Sequence, residues 1–393
     1  MTFKEFVYIR GEKMKFILAP DSFKESMSAK QVCEAMEEGI KKVFPQAECV
    51  HVPMADGGEG TTAALVESTK GTFHLCSVTN PMCEKVSATF GILGDQKTAI
   101  IEVAEGCGLH LVARDQRNPL TATSYGVGEL ILEALNTNVE KIIIGLGGSA
   151  TNDGGAGMLQ ALGVKLLDAS GQDIPYGGGG LSQLAQIDIS NMDARLKNVE
   201  VLVACDVSNP LTGENGASAV YGPQKGATPE MVQTLDANLK HFAEVVKTQL
   251  NLEIDNVAGA GAAGGIGAAL IGFCQAKLEK GIELIVKYSD LEAKMQGGHY
   301  VLTGEGSIDF QTQYGKTPVG VSSVALKYQI PTIALAGKVG EGIEALYPLG
   351  ITSILGILPG IVTLDEALET GYENVVRTTE NVMRLIQVSN SLK

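Results

Sequence analysis

The sequence predicts an α/β protein: a flavodoxin-like parallel sheet built from both ends of the chain, with a second, mixed α/β domain inserted between them. Three observations predict it. Strand-like runs alternate with helical patterns at the N-terminal end (Lys15–Ala19, Glu48–Pro53) and again at the C-terminal end (Tyr300–Thr303, Thr332–Ala336, Thr352–Ile357). Two strands cannot hold a sheet alone and three are few for a doubly wound one, whereas together they make the five of a flavodoxin-like sheet. Between the two ends the texture changes to strands joined by short turns, the mark of antiparallel pairing. The boundaries that follow are 14–71 with 287–393 for the discontinuous domain and 72–286 for the insert, and the active site is expected in the cleft between them.

A chain of 393 residues, 45% hydrophobic and 19% charged, has the composition of a soluble globular protein with two or three domains. Its formal charge of -15 argues against nucleic acid or an acidic membrane as partner. Cys33, Cys49, Cys76, Cys83, Cys107, Cys205 and Cys274 form no CxxC pair, and the histidines form no HxxH pattern. That reads as free thiols in a reducing cytoplasm, without structural zinc. Residues 1–13 are charged throughout and are read as an N-terminal extension rather than a signal peptide, with Met14 opening the fold. The apolar run Val257–Cys274 is mostly Gly and Ala, so a loop plus a buried helix is expected there rather than a membrane span. Oligomeric state is not readable.

In chain order, the first strand runs into the loop PDSFKES and a helix over Ala29–Phe44, with Ser28 as its N-cap. The second strand ends in MADGGEGTT before a helix over Ala63–Ser68. Loops that follow parallel strands lie along one sheet edge, where ligands bind. Asp21, Ser22, Lys24, Asp56, Gly57, Gly58, Glu59 and Thr61 are therefore expected close together. Strands over Phe73–Val78, Glu84–Ile92 and Lys97–Val103 follow, then the loop Ala113–Thr121 and a helix over Gly126–Leu135.

The stretch Lys141–Gly163, KIIIGLGGSATNDGGAGMLQALG, is the most informative. A β-branched strand breaks into Gly147–Gly148–Ser149 and Asn152–Asp153–Gly154–Gly155, and only then becomes helical. Unpaired N–H groups at such a junction suit an anion. An ordinary glycine-rich turn explains the same residues. Glu200–Cys205 reads as a strand whose long following loop carries Asp206, Asn209, Pro210 and Lys225, and long ordered loops are usually kept for binding.

Two nucleotide signatures fit incompletely. Gly259, Gly261 and Gly264 make a GxGxxG, but LEIDNVA before it is a poor strand, so a dinucleotide-dependent oxidoreductase is the weaker reading. Gly315–Lys316–Thr317 resembles the end of a phosphate-binding P-loop, yet Phe310 stands where its first glycine belongs. Lys316 still suits phosphate as a point charge at a helix start.

Taken together, APDSFKESMSA, PMADGGEGT, NPLTATSYGVGELI, GLGGSATNDGGAGMLQALG, CDVSNPLTGENGA with YGPQKGAT, GAGAAGGIGAAL and TGEGSIDFQTQYGKTP resemble the bacterial type I glycerate kinases from Met14 to about Ser389. The resemblance implies ATP-dependent, Mg²⁺-assisted phosphorylation of D-glycerate, with the 2-hydroxyl favoured over the 3-hydroxyl. It also implies one domain inserted in another. The family usually carries glycine where this chain has Glu25, and often Arg or Gln where it has Ser307. Phosphoryl transfer needs phosphate cradles, cations and a proton acceptor. The expected cradles are Gly147–Ser149 and Gly154–Gly155, with Gly259–Gly265 as a second cradle or an adenine-side backbone surface. The cations are Lys24, Lys225, Lys316 and Arg117, and Glu305 lies in the TGEG motif. Asp56, Asp153 and Asp206 are the metal candidates, although Asp153 beside Asn152 also reads as a turn former. Asp206 or Asp309 is expected as general base. A hydroxy-acid binding protein without catalysis is the remaining alternative.

Overall fold

The computed structural model describes residues 13–391, so the expected extension over residues 1–13 lies, apart from Lys13, outside the described residues. Two compact units divide the chain. Unit 1 contains the chain up to Asp56, Ala63–Thr69 and everything from Ile282, and unit 2 contains Gly57–Thr62 and Lys70–Gly281.

Strands are numbered along the chain. Unit 1 begins with β1 (Lys15–Leu18) and β2 (Glu48–His51). Unit 2 supplies β3 (Thr72–Thr79), β4 (Lys85–Ile92), β5 (Thr98–Glu102), β6 (Lys141–Gly145), β7 (Lys165–Leu167), β8 (Gln186–Asp188), β9 (Glu200–Ala204) and β10 (Lys277–Glu279). The chain then returns to unit 1 as β11 (Tyr300–Ile308), β12 (Thr332–Val339) and β13 (Ile351–Gly356).

The unit 1 sheet has the order β13–β12–β11–β1–β2 and every pair is parallel. This is the flavodoxin-like arrangement that the strand count predicts. Strand order reverses between β1 and β11, and in open α/β sheets that switch point opens a crevice at the carboxyl ends of the strands. Phe16, Ile17 and Leu18 of β1 are fully buried, so the strand is apolar on both faces, as helices on both sides require. One cover is the helix Ala29–Lys41, started by a capping box in which Ser28 Oγ accepts from Gln31 N and Gln31 Oε1 accepts from Ser28 N. It packs on the helix Gly371–Ser391, and Gly39 allows the approach, since a Cβ there would lie 2.6 Å from Val376 O. The single last helix expected over Leu364–Val388 is instead two, Leu364–Glu369 and Gly371–Ser391. A Cβ at Gly371, the first residue of the second helix, would collide with Ser26 Oγ, so a larger residue there would displace that side chain.

Unit 2 holds a six-stranded sheet, β10–β9–β6–β5–β4–β3. The pairs β3–β4 and β4–β5 are antiparallel, as their short turns predict, and the rest are parallel. Strands β7 and β8 pair separately. The sequence reading assigns nothing to the long helix Pro229–Leu250, although Thr228 caps it and proline occupies its first position. The apolar run after Val257 resolves into a loop and the helix Ile266–Cys274. Among the described residues no helix is long and apolar enough to cross a membrane.

Candidate active site

In unit 1 the chemistry collects at the β1/β11 switch point. Asp21 follows β1 and donates its N–H to Gly304 O of β11 (2.9 Å), which ties the first loop to that strand. Its carboxylate is buried: Oδ2 accepts from Thr317 Oγ1 (2.6 Å) and Oδ1 from Ser22 N (2.6 Å). Burial pushes the group up to about 6, Asp56 adds to the rise, and the hydrogen bonds from Thr317 and Ser22 oppose it. Glu305 of β11 is also buried. Its Oε1 accepts from Thr312 Oγ1 (2.9 Å), and Lys316 Nζ lies 3.5 Å from Oε2. Burial pushes Glu305 up to about 7; Lys316 and Thr312 pull it down, and Asp21 works against them. Lys316 also occupies the N-cap of the helix Thr317–Lys327. Lys24 is exposed in the tight turn Phe23–Met27, and a Cβ on Gly306 would come 3.7 Å from its backbone nitrogen.

Asp309, expected as a general base, caps the turn Phe310–Gln313. Its side chain accepts from Gln311 N (2.8 Å), while Thr312 Oγ1 receives the Asp309 N–H. Glu305, four residues earlier, is the buried and strongly shifted carboxylate. The sequence reading missed Thr312 and Thr317, whose hydroxyls hold the two acids. The only signal for them is a threonine on either side of Gly315–Lys316, which no local pattern singles out.

In unit 2, three turns meet at the carboxyl ends of β6 and β9. Gly57 has φ +98°, and a Cβ there would lie 2.7 Å from Gly281 Cα and 3.6 Å from Asp206 Oδ2. Asp206 follows β9, is exposed, and accepts from Gly281 N (3.0 Å). Gly147 after β6 comes against Gly58, since its Cβ would lie 3.4 Å from Gly58 Cα. Gly147, Gly148 and Glu59 face solvent. Glu102 at the end of β5, which the sequence reading passed over, accepts from Thr62 N (2.8 Å) and Gly60 N (3.3 Å) and fixes the GGEGT turn. Its signal is a carboxylate placed at the end of an otherwise apolar strand.

Behind these turns Lys225 is buried, with Nζ donating to Ser149 Oγ (2.9 Å) and Thr151 O (2.6 Å). It therefore holds the glycine turn from inside. Asn152 Nδ2 donates to Ser218 Oγ (2.9 Å), and Asn209 closes its own loop through Tyr221 Oη (2.8 Å) and Asn215 O (2.8 Å).

Four of the groups expected to act in unit 2 have structural partners there. Asp153 is fully buried and already saturated: Oδ2 accepts from Ser124 N, Ser124 Oγ and Gly157 N, and Oδ1 from Gly155 N. It anchors the turns around it. The amides of Gly155 and Gly157 serve this carboxylate, and Gly154 packs on Leu239 and Phe242. Arg117 directs its guanidinium at main-chain carbonyls, those of Leu109 (3.2 Å), Gln224 (3.4 Å) and Val112 (3.5 Å), and so braces a loop. Gly259, Gly261 and Gly264 lie against Leu278, Pro210 O and Thr151 O, where a Cβ would collide. They permit close packing, and no strand precedes them as a dinucleotide fingerprint requires.

A sequence profile of the glycerate kinase family matches residues 16–387. The glycerate 2-kinase of Escherichia coli is 50% identical over 375 residues, covering 95% of this chain and 98% of that protein. The glycerate kinase of Bacillus subtilis is 50% identical over 379 residues, covering 96% and 99%. The crystal structure of a provisional glycerate kinase 2 from Salmonella typhimurium superposes with TM-score 0.88 at 48% identity, covering 97% of this chain and all of that one (100%). The chain belongs to the glycerate kinase family.

Proposed function

We propose that this chain transfers the γ-phosphoryl group of ATP to the 2-hydroxyl of D-glycerate, in the cytoplasm, with Mg²⁺ as the accompanying cation. The observation that carries the chemistry is the Asp21–Glu305–Lys316 set at the β1/β11 switch point of unit 1. Glu305, raised to about 7, accepts the proton of the attacking hydroxyl, since a proton acceptor works best with its pKa near the working pH. Lys316 sets a positive charge beside it, and Lys24 offers an exposed ammonium suited to the glycerate carboxylate. The solvent-facing glycines Gly147 and Gly148 suit phosphate oxygens, because backbone N–H groups can approach there without side-chain obstruction.

Among the described residues no three metal-binding side chains cluster, so the oxygen donors suit an ion that takes few protein ligands, as Mg²⁺ does. Asp56 is an oxygen donor close enough to Asp21 to push up its pKa, so a cation there relieves a like-charge contact. Asp56 would hold the ion. When bound, Mg²⁺ neutralises charge on the transferring phosphoryl group. The regiochemistry leans on the name of the Escherichia coli relative, glycerate 2-kinase.

Phosphorus NMR of the product formed from D-glycerate, ATP and Mg²⁺ tests the proposal. The expected signal is that of 2-phosphoglycerate. A 3-phosphoglycerate signal overturns the choice of hydroxyl, and the absence of any phosphoglycerate overturns the reading.

A further inference from the structure

Strand β3 is the outer strand of the unit 2 sheet, with β4 on one side only. Which of its main-chain groups face outward follows from the hairpin. Asn80 N donates to Glu84 O (2.7 Å), so Asn80 and Glu84 form a hydrogen-bonded pair. In an antiparallel ladder bonded and non-bonded pairs alternate. His74, Cys76 and Val78 therefore spend their N–H and C=O groups on β4, and Phe73, Leu75 and Ser77 turn theirs away from it. Thr79 N also points outward, and there the edge stops, because Glu129 Oε2 accepts from it. Among the described residues no main-chain bond takes up the outward groups of Phe73, Leu75 and Ser77.

The same residues carry unusual side chains for a free edge. Leu75 is 76% exposed and Phe73 51% exposed, whereas Val78 on the opposite face is fully buried. Proteins that leave an edge strand unpaired usually blunt it with lysine, proline or a bulge. Thr72–Thr79 has no charged residue, no proline, and unbroken register with β4. An eight-residue neutral strand is also a place where two chains of net charge -15 can meet without burying a charge.

We propose that the chain forms a two-fold dimer in which β3 pairs antiparallel with β3 of a second copy. The register is self-complementary when the axis passes through Leu75. Leu75 then faces Leu75, Phe73 faces Ser77, and all three outward-facing residues exchange both main-chain groups. In that register Lys70, exposed just before β3, comes alongside the end of the other copy's strand, where Glu129 holds Thr79. The two six-stranded sheets become one. Such an isologous contact closes at two chains.

Light scattering coupled to size exclusion, over a wide range of protein concentration, tests this. The unaltered chain is expected at the mass of two chains. Leu75→Lys and Ser77→Glu each place a charge on the edge and should halve the mass to one chain with glycerate kinase turnover unchanged. Both positions face solvent, so neither change disturbs the core. An unaltered chain that runs as one chain at every concentration overturns the proposal. So does a dimer that survives both substitutions, which would place the interface elsewhere, or an assembly that keeps growing beyond two.

Discussion

Lys316 Nζ stands 3.5 Å from Glu305 Oε2, and the carboxylate is nonetheless held near 7 because burial outweighs the ammonium. If Glu305 accepts the substrate proton it must be ionised, so turnover should climb as pH rises through about 7 and level off above it. Glu305→Gln should lower turnover by roughly 10²- to 10⁴-fold and abolish that limb. Stability gives an independent readout with a definite sign. The folded value lies above the ordinary 4.5, so the stability Glu305 contributes is complete below 4.5 and is lost as pH rises through 7. The loss is about 3 kcal/mol at most, and Glu305→Gln should remove this part of the pH dependence of urea denaturation. Unchanged turnover in a folded Glu305→Gln protein would falsify its role as base.

Lys225 holds Ser149 and Thr151 from the interior, with no exposed route for its ammonium. Burial lowers its pKa from 10.5 to about 8, with Cys107 and Asp153 acting in the opposite direction. Below pH 8 the cation is present and supports the Gly147–Ser149 turn; above it the cation is lost. Lys225→Met strands two acceptors, a change expected to cost about 1–3 kcal/mol of stability. Turnover should fall roughly tenfold or more, the scale of one displaced catalytic contact. The decline of turnover above about pH 8 should appear in the unaltered chain and be absent from the variant. A variant with full activity and an unaltered alkaline limb would detach Lys225 from the turn's function.

The β1 and β12 strands of unit 1 are legible in the sequence because each is an apolar or β-branched run, and β1 ends where a polar loop begins, as at Leu18 and Asp21. What escapes is set by neighbours rather than by local pattern. Strands β8 and β10 each have three residues and a single central apolar side chain, Ile187 and Leu278, so no periodicity can announce them. The same limit governs the site. Parallel-strand logic brings Asp21 and Glu305 to one edge, but the hydroxyl that holds Asp21 belongs to Thr317, 296 residues away. Asp153 shows the converse. Asn–Asp–Gly is written alike for a metal loop and for a turn, and only burial with four donors tells them apart.

Asp153 offers a direct contrast between those two roles. Its carboxylate gathers the Ser124 loop and the start of the helix Ala156–Ala161, and burial raises its pKa in spite of these hydrogen bonds. Asp153→Ala leaves buried donors without an acceptor and should cost about 2–4 kcal/mol, read as a lower urea midpoint. The Mg²⁺ dependence of turnover in whatever fraction folds should match the unaltered chain. A stable variant that needs far more Mg²⁺ would return Asp153 to the metal site.

Glu25 occupies the third position of the turn Phe23–Ser26, closed by Ser26 N donating to Phe23 O (2.9 Å), and its φ is +63°. Positive φ at that position alone is the pattern of a type II turn, which selects glycine because a Cβ is crowded there. The demand for glycine at this place is written in the backbone itself. A left-handed conformation costs a residue with a Cβ about 1–2 kcal/mol, and glycine returns about 0.5–1 kcal/mol of that as unfolded-state entropy. Glu25→Gly should therefore stabilise unit 1 by up to about 1 kcal/mol. Glu25→Val, β-branched at a positive φ, should destabilise it by more than that. Because Glu25 lies beside Lys24 at the tip of the turn, the KM for glycerate in Glu25→Gly separates two outcomes. An unchanged KM with a raised melting temperature means that the glutamate only strains the turn. A KM that moves severalfold means that the turn sets the position of Lys24 against the substrate.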